Sequence, residues 1–239
     1  MKIVKPSVEL IHSTPNPERV IERMGRICYQ SNHKVMTCVS CSGRGWLRAG
    51  QVCTSCDSTG TDIESAIAFV KMIKSNGHES VLEHASAGFS IITDRGVTHE
   101  IVRHRIASYS QESTRYCNYG KEAFGREITV IEPPTLREPG YEGYPCMTDG
   151  DLCAWGSAME GAEHIYMEML DRGVAPQIAR SVLPNALKSE IGMTANFREW
   201  RHFLRLRTSP KAHPQMREIA GMIRARLVEL SPACFGDLT

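Results

Sequence analysis

Apolar positions along the chain predict a succession of short elements. Val8 to His12 reads as a short strand, and Asn16-Pro17 as a helix start, a cap followed by proline in the first turn. Val20, Ile21, Met24 and Ile27 then recur at helical spacing. From Thr37 to Gly60 the periodicity stops. That stretch holds four cysteines and several Gly and Ser, and its sizeable apolar side chains are Val39, Trp46, Leu47 and Val52. A helix is predicted again over Ile63, Ile67, Val70 and Ile73, ended by Asn76-Gly77. Ala85 to Ile92 reads as a strand, Val97 to Arg103 as a helix, and Ile128 to Ile131 as a strand ended by Pro133-Pro134. Thr135 to Gly150 reads as a Pro/Gly-rich loop, and the rest mainly as helix. Two stripes support that reading, Ala158, Ala162, Ile165 and Met169, then Met216, Ile219, Ile223, Leu227 and Leu230. Strands early and helices late predict an α+β fold, with helices packed on a mixed or antiparallel sheet.

Composition narrows the class of protein. The 239 residues are 41% hydrophobic and 23% charged, ordinary for a globular chain long enough to bury a core. A formal net charge of +1 gives no whole-molecule reason to expect a nucleic-acid partner, so any anion site must come from local clustering. The first residues lack an apolar signal core, and no stretch has the length of a membrane span, so a cytoplasmic protein without membrane contact is expected. Nine cysteines, some closely paired, point in a reducing compartment to metal before disulfide.

The stretch from Arg103 to Tyr116 concentrates arginines, short hydroxyls and tyrosines. Arginine forks and hydroxyls suit phosphate oxygens, and Ser113, Thr114 and Arg115 could offer backbone N–H, hydroxyl and guanidinium donors to one phosphate. A solvated basic face with a polar turn would use the same residue types. Further on, Trp200, Phe203, Leu204 and Arg207 fall at i, i+3, i+4 and i+7, so Arg207 continues an apolar stripe. It could act as a cation in a partly dry site, or serve the C-terminal dipole of its helix.

Order and spacing go further than residue type. Arg103-His104-Arg105, seven residues, then Ser113 with Arg115 and Tyr116 behind it, resembles the signature of the flavin-dependent thymidylate synthases. The likeness continues in Arg26-Ile27-Cys28-Tyr29, Gly77-His78-Glu79-Ser80, Glu83-His84 and His99-Glu100-Ile101-Val102. It extends to the segments Ala179 to Pro184, Thr194 to Arg198 and Phe203 to Arg207.

The resemblance implies conversion of dUMP to dTMP with methylenetetrahydrofolate and NADPH as co-substrates, FAD as cofactor and tetrahydrofolate released. It also implies a homotetramer whose active sites are shared between subunits. It makes Arg207 the catalytic residue, contacting the uracil and favouring its N3-deprotonated form. It gives dUMP to Glu100, Arg103, Gln111, Glu112, Ser113, Thr114, Arg115 and Arg180, with Ser113 and Thr114 at the phosphate. A structural salt bridge would also explain Arg180. FAD would lie against Ser80, Arg103, His104, Arg105, Gln111, Asn196, Arg198 and His202, with His78 and Glu79 in the same cleft. Some positions depart from the family pattern: Glu100 stands where some members have Gln, Gln111 where some have Glu, His202 where Asn is common, and Lys211 where some have His. These departures leave room for a related flavin- and folate-dependent pyrimidine nucleotide methyl or hydroxymethyl transferase.

The cysteine segment stands apart from that pattern. Cys38-x2-Cys41 and Cys53-x2-Cys56 are two knuckles, each followed by glycine, and four thiolates so spaced suit tetrahedral zinc. Two disulfides are the alternative. The first knuckle resembles the cysteine repeats of DnaJ-type chaperones. The expected organisation is one synthase domain over 1–239 carrying a structural zinc insertion at 37–60. An inactive zinc-ribbon protein binding nucleic acid is a third reading, opposed by the charge balance. Cys146, behind Pro145, reads as a loop thiol.

Overall fold

A computed structural model describes residues 1–133 and 147–238. Cys146 and most of the span read as a Pro/Gly-rich loop lie outside the described residues. The strands are β1 (Lys2–Val4), β2 (Ser7–Ser13), β3 (Ser86–Asp94), β4 (Ala107–Gln111), β5 (Thr129–Ile131) and β6 (Lys188–Asn196). The helices are α1 (Pro17–Ile27), α2 (Ile63–Ser75), α3 (Arg95–Ile101), α4 (Asp149–Asp171), α5 (Pro176–Ala179), α6 (Phe197–Arg207), α7 (Pro214–Leu230) and α8 (Pro232–Phe235). Among the described residues no helix is long and apolar enough to cross a membrane.

The expected α+β class holds. Four strands form one sheet in the order β2-β3-β6-β4, and β1 pairs in parallel with β5, Lys2 against Thr129 and Val4 against Ile131. Within the larger sheet, Thr14 N–H donates to the Ser86 carbonyl at 2.9 Å and Phe197 N–H to Ala85 at 2.8 Å. Glu112 N–H donates to Glu190 at 2.8 Å. Each bond joins the end of one strand to the start of its neighbour, which is antiparallel pairing.

Local chemistry explains most boundaries. Asp62 caps α2 by accepting from Glu64 N–H at 3.0 Å, and Gly77, at φ +72°, takes the left-handed turn that ends it. Thr148 and Asp151 form a capping box, so α4 begins at Asp149, inside the segment read as loop. Asn16 precedes α1 as expected but makes no side-chain cap. It sits in the left-handed region, and its Oδ1 accepts from Arg19 at 3.2 Å instead.

Two readings are corrected. The stripe Ala158, Ala162, Ile165 and Met169 is not the packed face of α4, because Ala158 and Ile165 are exposed. The packed side chains are Trp155, Met159, Tyr166 and Leu170, joined by Met167 and Met169, around Ile128, Val130 and Leu187. A helix rich in Met and Ala offers several apolar arcs, and only the sheet edge it meets selects one. β6 falls in the part read mainly as helix. Its burial does alternate, through Ser189, Ile191, Met193 and Ala195, but two of those are small and one is polar, so little hydrophobic contrast marks it.

The chain divides into two compact units. The first comprises Met1–Ile11, Gly88–Thr194 and Arg205–Ile223, and the second His12–Ala87, Ala195–Leu204 and Arg224–Thr239. In the second unit α1 and α2 pack together. Gly25 allows the close approach: a Cβ there would stand 2.6 Å from ring carbons of Phe69. Two buried carboxylates are satisfied in this unit, Glu22 by Arg26 and Ser65, and Glu18 by Ser231.

Candidate functional site

The first unit gathers the arginine-rich stretch around the end of α3. Asp94 caps this helix by accepting from Val97 N–H at 2.7 Å, and burial raises its carboxyl above the ordinary value. α3 stops before Arg103, and Tyr109 O–H donates back to the Ile101 carbonyl at 3.0 Å, folding the Arg-His-Arg run into a tight reverse connection. That geometry sorts the three residues: His104 is buried, while Arg103 and Arg105 are exposed.

Arg207 meets this turn with three of its five donors. Its Nε donates to His104 Nε2 at 3.0 Å, Nη1 to Glu100 Oε2 at 2.9 Å, and Nη2 to the Glu100 carbonyl at 3.0 Å. Its side chain is only 18% exposed. A planar guanidinium fixed on three sides is a preorganised cation with N–H groups to spare. The expected continuation of the stripe holds, since Trp200, Phe203 and Leu204 are buried.

The expected phosphate turn lies on the far side of β4. Ser113 accepts from Tyr116 and Cys117 N–H through its carbonyl, and Thr114 is buried with its hydroxyl accepting from Arg180 Nη1 at 3.1 Å. Arg180, read either as a nucleotide ligand or as part of a salt bridge, here holds a turn hydroxyl. Arg115 is exposed, with its guanidinium over the Tyr116 ring at 5.3 Å. Gln111 donates to Thr98 and Ser189 at 2.9 and 3.1 Å.

Glu112 accepts from Tyr119 O–H and from Lys188 Nζ, both at 2.8 Å. In this Lys188–Glu112–Tyr119 chain, Glu112 stands out in the sequence, but its partners escape sequence reading, because Lys188 lies 76 residues away and both it and Tyr119 are ordinary residue types. Burial, then the Glu112 charge, pushes the Tyr119 hydroxyl well above its ordinary range and raises the Cys117 thiol. The chain borders a cavity of about 650 Å³ with Ser110, Gln111 and Gly192 on its walls.

In the second unit, His78 and Ser80 line a larger cavity of about 1000 Å³. Asn196 caps α6 by accepting from Glu199 N–H at 2.8 Å, and Arg198 pairs with Glu83 at 2.6 Å. Arg198 and His202 share the exposed face of α6, as their four-residue spacing predicts. Arg201 is a further buried cation that helical periodicity alone would assign to solvent. It is bidentate to Asp237 at 2.7 Å, and its Nε lies 3.5 Å from Glu79.

The family model for "Thymidylate synthase complementing protein" matches residues 9–233. A flavin-dependent thymidylate synthase of Geobacter sulfurreducens is 33% identical over 231 residues, spanning 96% of this chain and 85% of that one. The chain belongs to the flavin-dependent thymidylate synthase family. The enzyme of that name from Pyrococcus abyssi is 39% identical over 155 residues, covering 64% of this chain and 59% of its own. Two solved structures share the fold, both of the UMP/dUMP methylase PolB from Streptomyces cacaoi. The one bound with 5-Br dUMP has a TM-score of 0.70 at 25% identity, covering 99% of this chain and 96% of PolB. The one bound with 5-Br UMP has a TM-score of 0.71 at 22% identity.

This member of the flavin-dependent thymidylate synthase family also carries a buried cysteine cage. Cys38 Sγ lies 3.8 Å from Cys53 Sγ, and Cys41 Sγ 3.7 Å from Cys56 Sγ, nearly twice a disulfide bond. All four sulfurs fall within 4.8 Å of one another. Tetrahedral zinc with bonds near 2.3 Å separates its thiolates by about 3.8 Å, so the donor set fits the metal. Gly45 and Gly60 N–H groups donate to Cys41 and Cys56 sulfurs at 3.2 and 3.4 Å. Both glycines have positive φ, and a Cβ on either would lie 2.3 Å from a backbone carbonyl oxygen. Of the other cysteines described, Cys28 and Cys153 are exposed, Cys117 is half-buried and Cys234 is buried.

Proposed function

We propose that the chain is a cytoplasmic, FAD-dependent thymidylate synthase that reductively methylates dUMP to dTMP with 5,10-methylenetetrahydrofolate and NADPH, releasing tetrahydrofolate. The observation that carries this reading is the three-point fixation of Arg207 against His104 and Glu100 at the head of the Arg-His-Arg motif.

Arg207 turns its remaining N–H groups to the uracil and stabilises negative charge developing on the ring as N3 loses its proton. A fixed guanidinium in a partly dry site does this without reorganising as the charge forms. Ser113, Thr114, Arg115 and Arg180 bind the 5′-phosphate, with Arg103 closing over the nucleotide. Glu100, Gln111 and Glu112 border it. The Glu100 carboxylate, which would otherwise repel a nearby phosphate, is offset by its Arg207 partner at 2.9 Å.

FAD is held by Ser80, Arg103, His104, Arg105, Gln111, Asn196, Arg198 and His202, and when bound it supplies the electron and one-carbon relay that no side chain here can. Arg103, Arg105 and Arg115 are exposed, as residues that complete a site on a second copy of the chain would be, which supports a homotetramer with shared sites. The organisation is one synthase domain, 1–239, with a zinc insertion at 37–60 ligated by Cys38, Cys41, Cys53 and Cys56.

Purified protein is therefore yellow and oxidises NADPH only when dUMP and methylenetetrahydrofolate are present, and Arg207→Ala abolishes that turnover. A colourless chain that takes up no FAD would refute the reading. A second reading, methylation of UMP as well as dUMP, is favoured by the likeness to PolB, and the mass of products formed from each nucleotide separates the two.

A further inference from the structure

The segment that leads into the cysteine cage also walls the large cavity of the second unit. His33, Lys34 and Met36 line it, with Phe69 and Met72 of α2 and Asn76 just past its end. The two legs of the cysteine segment meet at that wall. Thr37 bridges Thr61, and Asp62 N–H donates to the Met36 carbonyl at 2.8 Å. The same Asp62 caps α2, and Arg19 of α1 donates to the Thr61 carbonyl at 3.3 Å.

Beyond this base the segment is held by a few backbone hydrogen bonds, such as Leu47 N–H to Gln51 at 2.7 Å and Cys53 N–H to Gly45 at 3.0 Å, and by a long Arg19–Asp57 ion pair at 3.9 Å. Val39, Trp46 and Val52 are more than half exposed, and the buried apolar cluster consists of the four cysteines. A polar loop of about 24 residues left open would forfeit roughly a hundredfold in the closure of its own ends. It has no core with which to recover that.

We infer that the metal cross-link at Cys38, Cys41, Cys53 and Cys56 is a strut. It holds the 31–36 wall to the start of α2 and so sets the affinity of the cavity for a flat, anionic aromatic ligand. The lining suits such a ligand: Phe69, Met72 and Val81 offer apolar contact, and Arg26, Lys34 and His78 offer cationic or polar donors. Naming that ligand as FAD rests on the assignment of Ser80 under the proposed function; the strut itself does not.

The test compares three full-length proteins: the wild type, Cys41→Ser/Cys56→Ser, and a variant with residues 38–60 replaced by an Asn-Gly turn joining Thr37 to Thr61. Zinc content, hydrogen exchange over 31–36 and 62–72, and FAD affinity by fluorescence quenching are measured for each. The wild type holds one zinc per chain. The double variant loses zinc, loses protection over 31–36 and binds FAD at least about tenfold more weakly, a fraction of the closure factor. The short-turn variant, also without zinc, keeps protection and binds FAD within about threefold of the wild type because its legs are tied. An unfolded double variant beside a folded short-turn variant supports the strut equally.

Wild-type protection over 31–36 in a zinc-free double variant overturns the inference. So does a folded short-turn variant that fails as the double variant does, since the cage would then act through contacts of its own. Zinc-dependent protection in a chain that binds no FAD supports the strut and sinks the flavin assignment.

Discussion

Arg207→Lys keeps the charge of the central cation and removes its geometry. A lysine ammonium can retain the Glu100 carboxylate but cannot also reach His104 Nε2 and the Glu100 carbonyl, the other two groups Arg207 holds. Each lost hydrogen bond is worth about 1 kcal/mol. The retained ion pair contributes little, because the Glu100 side chain is 37% exposed. Stability should fall by about 2 kcal/mol, read from urea unfolding. Catalysis should fall further. Removing one preorganised donor from a developing anion lowers kcat by roughly 10²–10³, and a displaced but still charged lysine should lose about 30–300-fold, or roughly 2–3.4 kcal/mol. The assay is dUMP-dependent NADPH oxidation by flavin-loaded protein, with KM for dUMP changing much less than kcat. A folded, yellow Arg207→Lys enzyme with kcat within about threefold of the wild type would refute the role of guanidinium placement.

Three other perturbations test separate parts of the structure. Gly60→Ala forces a Cβ to 2.3 Å from the Gly43 carbonyl oxygen in a left-handed turn, so the variant should bind zinc weakly, seen as rapid release to a colorimetric chelator that the wild type resists. Asp237→Asn leaves Arg201, 2% exposed, with its nearest carboxylate at 3.5 Å on Glu79. Because Asp237 is itself 47% exposed, the expected loss is about 2 kcal/mol, below the usual range for a fully buried pair. The hydrogen bond from Arg201, with help from Lys74, holds the Asp237 carboxyl well below the ordinary carboxylate range. Its contribution is therefore complete above the unfolded pKa near 4 and declines as pH falls toward the folded value, so the gap between wild type and Asp237→Asn in urea should be flat above about pH 5 and narrow below about pH 4. Gly25→Ala places a methyl 2.6 Å from Phe69 and 2.9 Å from Val81 between α1 and α2, and should destabilise by about 1–3 kcal/mol in a thermal melt.

Much of this protein is legible in one dimension because its signals are local. Glycines and cysteines at short spacing prescribe a cage, since each knuckle closes within a few residues. Asn76-Gly77 ends a helix through backbone chemistry that needs no distant partner. The Arg-His-Arg motif is likewise a contiguous string, and its resemblance to a family survives whatever folds around it.

Tertiary structure decided what depends on which surfaces meet. The packed face of α4 was chosen among several apolar arcs by the strand edge at Ile128 and Val130. β6 became a strand because neighbours on both sides supply its hydrogen bonds, although Ser189 and Gly192 weaken its alternation. Arg201 was drawn inside by Asp237, and Glu112 was tied by Lys188, pairings of residues distant in sequence. A sequence carries such long-range pairs only as unremarkable charged letters; desolvation makes them strong, and desolvation exists only once the chain has closed around them.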